Sequence, residues 1–221
     1  MADLNRILDY TLISKEYTPI ANEQKKIDDN PTYLKDDWFK SQFSGLKKNI
    51  KIHYSRKQKR KCAYCRSTIS IDGIGFPIEH IIPRKLKPQW MFVQHNLTVC
   101  CSSCNSSKGS RNMMIRHENN YGHESQYYPN TSNEFKFFNP HFDKWSDHFE
   151  IQDDIFLVPK PNSKGPFTYK ECNMHRYNIV IDYIDELRIR EKSFKSITLR
   201  IRKEKNQKKL DELKLALEVL I

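Results

Sequence analysis

Two pairs of cysteines constrain this chain more than any other feature of its sequence. Each pair has the spacing C-x-x-C, Cys62 with Cys65 and Cys101 with Cys104, and thirty-five residues separate the two pairs. Two thiolates at this spacing occupy neighbouring corners of a tight turn, and two such turns complete the tetrahedral sulfur site that zinc prefers. The sequence therefore predicts a structural zinc ion held by four cysteines. The alternative is a metal-free set of reduced cysteines.

The two remaining cysteines, Cys100 and Cys172, are predicted to pack as small apolar side chains. A thiolate site requires a reducing compartment, and the first residues contain an early acid and no apolar signal-peptide run. We therefore expect a cytoplasmic protein. No stretch of sequence approaches the roughly eighteen apolar residues that a membrane-spanning helix requires, so no membrane partner is expected.

The segment between the cysteine pairs contains candidates for chemistry. Residues 76–82 are predicted to form a short strand that carries Glu79 and His80, and Pro83 indicates where it ends. Adjacent side chains of a strand point to opposite faces, so these two can share a site only where the strand bends or ends. Ser102 is predicted to cap a helix whose first turn contains Asn105, near the positive end of the helix dipole. The expected arrangement is a β-hairpin followed by a helix, with zinc joining the two.

The segment from Cys62 to Lys108 resembles the HNH nuclease family (His-Me finger, ββα-metal) in its zinc-bearing form. The family motif is C-x-x-C, then Asp/Glu-His-Ile/Val-x-Pro, then Asn-Leu-x-x-x-C-x-x-C-Asn/His-x-x-Lys, and this sequence has a matching residue at every position. The resemblance covers about a fifth of the chain closely. It implies an α+β fold, in which a ββα-metal finger with a four-cysteine zinc site is flanked by helical N- and C-terminal extensions.

The resemblance also implies roles for four residues. Glu79 and Asn105 would bind one catalytic divalent ion, Mg²⁺ or Mn²⁺, which suits their oxygen donors. His80 would be the general base that activates water, and Asn96 would hold the loop that orients this histidine. The sequence departs from the three-letter family name because Asn105 stands at the position of the last histidine. Without the motif, His80 would be interpreted as a buried, hydrogen-bonded core histidine.

The charge of the chain favours a polyanionic partner. The formal net charge is +11, and residues 47–61 contain eight basic residues and no acidic one. Such a composition is typical of nucleic-acid-binding proteins, although a run of lysines can also be a solvated helix face. Six residues near the motif are predicted to contact phosphate: Lys57, Arg60, Arg84, Lys85, Lys108 and Arg111.

The sequence predicts four segments. Residues 1–46 form a partly helical N-terminal extension, with one helix expected over 30–45, and residues 47–115 form the nuclease core with its zinc site. Residues 116–170 are rich in loops and include a hairpin around Asp153 and Asp154, and residues 171–221 form basic helices. Leucines recur at helical spacing near the end of the chain, which indicates either core packing or docking to another helix: Leu210, Leu213, Leu217 and Leu220.

The function predicted from these features is a metal-dependent HNH endonuclease that hydrolyses phosphodiester bonds in DNA, with RNA not excluded as a substrate. The run that begins at Asn139 resembles extensions of HNH proteins in bacterial defence and restriction, which implies an antiphage role. Two alternatives stay open. One is a zinc-bearing nucleic-acid-binding module without catalysis. The other is a nuclease subunit that is active only with an ATPase partner, as in two-gene Septu-like systems.

Overall fold

The structure is a computed structural model of the chain. It describes residues 13, 15–30, 34–69, 76–115, 127–152, 156–176, 197–199, 201–203 and 205–218. The chain divides into two compact units, residues 1–175 and residues 176–221. The predicted segment boundaries after residues 46 and 115 both lie inside the first unit, and the predicted start of the C-terminal helices at residue 171 lies four residues before its end.

The first unit combines helices with two small antiparallel sheets, which confirms the α+β class. In chain order its elements are helix α1 (Ala21–Asp28), helix α2 (Ser44–Lys57), strands β1 (Ile78–His80) and β2 (Leu97–Val99), helix α3 (Ser102–Lys108), strands β3 (Phe149–Gln152) and β4 (Phe156–Pro159), and helix α4 (Gly165–Glu171). Strand β1 pairs only with β2 and strand β3 only with β4 among the described residues. The second hairpin confirms the one predicted around Asp153 and Asp154.

The helix predicted over residues 30–45 is wrong. Two separate turns of 3₁₀ helix occupy this region, Asp37–Phe39 and Ser41–Phe43. The cause is the buried carboxylate of Asp37, which accepts a hydrogen bond from the Leu34 amide at 3.1 Å and pairs with Lys40 at 3.0 Å. A side chain that satisfies its own neighbouring backbone competes with the regular hydrogen bonds of a helix.

Helix α2 begins where the predicted helix should have ended, and it packs along the first hairpin. It buries Leu46, Ile50 and Tyr54, which are spaced four residues apart and therefore lie on one face. Just beyond its end, Gln58 donates to the Val99 carbonyl at 2.7 Å and accepts from the Val99 amide at 3.0 Å. This buried amide fixes the position of α2 relative to strand β2.

The first hairpin and α3 have the order that the sequence predicted, two antiparallel strands followed by a helix. Glu79 lies opposite Thr98, and His80 lies opposite Leu97. The N-cap of α3 is Cys101, whose sulfur accepts a hydrogen bond from the Cys104 amide at 3.4 Å, so the cap lies one residue before the predicted Ser102.

The later segments of the first unit cover this centre with aromatic side chains. Residues 127–152 contribute to the core six large rings with at most 8% exposure, namely Tyr128, Phe135, Phe137, Phe138, Trp145 and Phe149. The indole of Trp145 donates to the Tyr64 carbonyl at 2.8 Å, which attaches this segment to the first cysteine turn. The long chain after the predicted core is therefore part of the same folded body.

The second unit contains helix α5 (Gln207–Glu218), which carries Leu210 and Leu213 as half-buried residues. The predicted continuation of this stripe at Leu220 lies outside the described residues, as does the whole segment from 177 to 196. Within the described part of the chain, no helix combines the length and the apolar character needed to cross a membrane.

Candidate metal centre and cleft

The four cysteines of the C-x-x-C pairs converge in one cluster. Their sulfur atoms all lie within 4.8 Å of one another, and the Cys65 and Cys101 sulfurs are 3.8 Å apart. A tetrahedral zinc site with Zn–S bonds of about 2.3 Å has sulfur-to-sulfur edges of about 3.8 Å. The cluster can therefore bind a metal such as zinc. Cys100 and Cys172 are fully buried outside this set of four.

The fold places each cysteine pair at a chain reversal. The Cys62 amide donates to the Ser67 carbonyl at 2.9 Å, which closes the first turn, and the Ala63 amide donates to the Val99 carbonyl at 3.2 Å. The second pair begins two residues after Val99 and opens helix α3. Because both turns contact the end of strand β2, a metal bound by all four sulfurs would join the hairpin to the start of α3.

His80 lies at the end of strand β1, and one of its ring nitrogens forms a hydrogen bond to the backbone. Its Nε2 lies 3.1 Å from the Met91 carbonyl, and its ring makes an edge contact with Trp38 at 4.5 Å between centroids. A carbonyl can only accept, so Nε2 carries the proton and Nδ1 has the free lone pair. Burial, together with the charge of Arg84, lowers the pKa of His80 to about 3, so the imidazole is neutral at pH 7.

Asn96 closes the loop between the two strands. This side chain is fully buried; its Oδ1 accepts from the Ile82 amide at 2.7 Å, and its Nδ2 donates to the carbonyls of Ile82 and Trp90, each at 3.0 Å. The loop fixed in this way contains Met91, whose carbonyl holds the His80 ring. The position of Asn96 agrees with the loop-holding role that the sequence predicted.

Glu79 is buried and forms an ion pair. Its Oε1 lies 2.6 Å from the Lys108 ammonium and accepts from the Tyr64 hydroxyl at 3.2 Å. Burial raises the pKa of Glu79, and the ammonium of Lys108 opposes this effect. Lys108 also donates to the His80 carbonyl at 2.9 Å, so it ties the end of α3 to strand β1.

A cleft of about 620 Å³ brings together three of the four predicted catalytic residues, without Asn96. Glu79, His80 and Asn105 all line it, the first two from strand β1 and the third from α3. Among the described residues, the Asn105 side chain makes no hydrogen bond, so its amide oxygen is available to a ligand. Adjacent strand positions reach the same cleft because β1 ends at His80, as Pro83 indicated.

The six predicted phosphate contacts separate into two groups. Arg84 and Lys85 line the cleft, and the Arg84 guanidinium lies 4.5 Å over the ring of Phe39, which is 64% exposed. Lys57 and Arg60 are exposed but do not line this cleft. The remaining two, Lys108 and Arg111, form ion pairs within the protein.

Lys108 is wrong as a predicted phosphate contact, because it is 1% exposed and is paired with Glu79. Arg111 donates to the Ser107 carbonyl at 2.6 Å and pairs with Glu171 at 3.0 Å. The first bond satisfies a C-terminal carbonyl of α3, and the two contacts together hold this guanidinium outside the cleft.

Three groups that were not predicted from the sequence also shape the site. The hydroxyl of Tyr64 donates a hydrogen bond to Glu79. This tyrosine lies inside the first C-x-x-C motif, so its position next to the cysteines is a signal that the sequence contains. Trp38 supports the His80 ring from a distant segment. The Met91 carbonyl that holds His80 belongs to the backbone and leaves no signal in a sequence.

Comparisons with protein-family models, with curated proteins and with solved structures gave no match.

Proposed function

We propose that this protein is a metal-dependent endonuclease of the HNH type, which hydrolyses phosphodiester bonds in DNA. One observation carries the proposal. A single cleft is lined by a carboxylate, a neutral imidazole and an amide, Glu79, His80 and Asn105, and the imidazole has its Nε2 bonded to a backbone carbonyl. This combination supplies a proton acceptor beside oxygen donors for a divalent ion.

His80 acts as the general base in this proposal. Because Nε2 donates to Met91, Nδ1 is the nitrogen that accepts a proton from the attacking water. The lowered pKa keeps the ring neutral at pH 7, and Asn96 and Trp38 hold the loop and the ring in place. General-base assistance of this kind contributes about 100- to 10,000-fold to a rate.

Glu79 and Asn105 are the residues that would hold a catalytic Mg²⁺ or Mn²⁺. Carboxylate and amide oxygens are the donors that these hard cations prefer. Lys108 and Tyr64 both contact Oε1 of Glu79, so Oε2 is the carboxylate oxygen outside those two contacts. When bound, the ion supplies neutralisation of the charge that develops on the phosphate and on the leaving oxygen.

The four-cysteine cluster has a structural role in the proposal. Zinc held by the cluster would fix the start of α3 against the end of β2. Asn105 is the residue directly after Cys104, and its amide donates to the Cys101 carbonyl at 3.1 Å. A metal bound there would position Asn105 across the cleft from strand β1 without taking part in the reaction.

Cleavage of supercoiled plasmid DNA tests the proposal. The wild-type protein should nick or linearise the plasmid with added Mg²⁺ or Mn²⁺ and not without them. His80→Ala and Asn105→Ala should each lower the rate by about 100-fold or more, because each removes one part of the catalytic set. Zinc content, measured by mass spectrometry, should stay at one ion per chain in both variants.

Matched variants control for nonspecific damage. His175→Ala removes an exposed histidine, and Asn133→Ala removes an exposed asparagine, both outside the cleft. Each should retain wild-type cleavage. Cleavage that survives His80→Ala at the wild-type rate would refute the assignment of the base.

A second candidate function is a nucleic-acid-binding module without catalysis. The observation that favours it is the ion pair between Glu79 and Lys108 at 2.6 Å, which already neutralises the predicted metal-binding carboxylate. Wild-type protein that binds DNA but never cuts it with either metal would support this candidate. An ATPase partner, an antiphage role and a cytoplasmic location stay predictions from the sequence.

A further inference from the structure

Two further hollows lie beside the cleft, next to helix α2. A second hollow of about 440 Å³ shares Trp38, Pro77 and Ile78 with the cleft, and its other lining residues are Lys47, Lys48 and Lys51 of α2. A third hollow of about 330 Å³ contains Lys51 together with Phe76, Pro77, Ser102, Asn105 and Ser106. We call the three together the groove. Lys51 lines both the second and the third hollow.

The groove is strongly basic. Six of its lining residues are basic and two are acidic: Lys35, Lys47, Lys48, Lys51, Arg84 and Lys85 against Asp36 and Glu79. Glu79 is itself neutralised by Lys108 outside the groove lining. A concave surface with this excess of positive charge attracts a polyanion and concentrates it at the cleft.

The three lysines of α2 differ in what they touch. Lys47 donates to the Trp38 carbonyl at 2.9 Å, so it supports the residue that packs against His80. Lys48 is exposed, and Lys51 lies with its ammonium 4.8 Å over the Phe76 ring. Among the described residues, neither Lys48 nor Lys51 forms an ion pair, so both charges are available to a ligand.

Helix geometry places the other basic residues of α2 elsewhere. At 100° per residue, Lys51 lies about 140° from Arg56 and about 120° from Lys57 around the helix, whereas Lys48 lies about 80° from Arg56. Arg56 and Lys57 accordingly line a separate hollow with Tyr17, Asn49, Ile52 and His53, which shares no residue with the groove. The basic residues of α2 are thus divided between two hollows that share no residue.

We propose that Lys48 and Lys51 form a phosphate-binding site that holds the backbone of the substrate strand next to Asn105. Arg84 and Lys85 hold the same backbone within the cleft, so the strand follows the groove between the two sets of charges. This inference rests on the proposed function, because it assumes that the bond to be cut lies between them. It replaces Lys57 and Arg60, the residues of the basic run predicted from the sequence, with two others of the same run.

Salt-dependent binding to DNA tests this site independently of cleavage. The probe is a short fluorescein-labelled DNA duplex, and binding is measured by anisotropy without added divalent ions. Each phosphate contact contributes about 0.9 to the slope of log K against log salt concentration. The double variant Lys48→Gln/Lys51→Gln should therefore lower the slope by about 1.8, and Lys48→Arg/Lys51→Arg should restore it.

The double variant Arg56→Gln/Lys57→Gln is the matched control, since it removes two charges of the same helix from a hollow that shares no residue with the groove. It should leave the slope at the wild-type value. Equal losses in both double variants, or no loss in Lys48→Gln/Lys51→Gln, would overturn the proposed site even if the protein cuts DNA. A loss confined to Lys48→Gln/Lys51→Gln in a protein that never cuts DNA would support the site and refute the nuclease function.

Discussion

Replacement of the buried Asn96 by alanine offers a stringent test of how the site is held together. The truncation removes both bonds to the Ile82 backbone, at 2.7 and 3.0 Å, and one to the Trp90 carbonyl. The Trp90 carbonyl keeps the Val93 amide at 3.2 Å as a partner, but the Ile82 amide and carbonyl lose theirs among the described residues. Two buried groups left unsatisfied at roughly 1.5 kcal/mol each cost about 3 kcal/mol.

Tryptophan fluorescence during unfolding in urea measures this loss of stability in the first unit. The three tryptophans of the chain, Trp38, Trp90 and Trp145, are all buried in residues 1–175. With a slope of about 2 kcal/mol per molar urea, a loss of about 3 kcal/mol lowers the unfolding midpoint by about 1.5 M. The exposed variant Asn133→Ala should keep the wild-type midpoint. A change below about 0.3 M in Asn96→Ala would refute the reasoning, since it would mean that Asn96 does not hold the loop.

Three further predictions concern the metal and the buried charges. Removal of zinc, by a chelator or by Cys104→Ser, should unfold the first unit. Structural zinc sites contribute about 10–16 kcal/mol, which is as large as the total stability of a typical domain, about 5–15 kcal/mol. A circular dichroism spectrum that stays unchanged would contradict a structural metal. Lys108→Met should lower the free energy of unfolding, measured in urea, by about 3–5 kcal/mol because Glu79 loses its charged partner. Added Mn²⁺ should recover part of this loss if Glu79 binds the ion. Burial alone would raise the pKa of Asp143, but hydrogen bonds from His148, Lys164 and others outweigh it and lower that pKa below 3.8. Its contribution to stability is therefore present above pH 3.8 and is lost as the pH falls through the lower folded-state pKa, and Asp143→Asn should flatten unfolding free energies measured over that acid range.

The local features of the site were predictable from sequence because they depend on short spacings. The two C-x-x-C motifs predicted the sulfur cluster, and the residues around the second motif predicted the short helix that carries Asn105. Strand β1 was expected over residues 76–82, and the observed strand lies inside that range. Each of these elements is specified by residues only a few positions apart.

Contacts between distant segments were not predictable in the same way. Lys108 was expected to meet phosphate, but the packing of α3 on β1 buries it against Glu79, twenty-nine residues earlier. Helix α2 was missed because Gly45 was interpreted as the end of a helix, whereas it is the second residue of one. Asp37 broke the predicted helix through hydrogen bonds to its own neighbours, a competition that periodicity alone does not reveal.

The most direct test of the account is a crystal of this protein soaked in Mn²⁺, with anomalous scattering recorded at wavelengths that separate manganese from zinc. We predict a zinc peak among the four cysteine sulfurs and a manganese peak in the cleft, contacted by Glu79 and Asn105 and adjacent to His80. A cleft without manganese, with Glu79 still paired to Lys108, would contradict the claim that this site holds a catalytic ion.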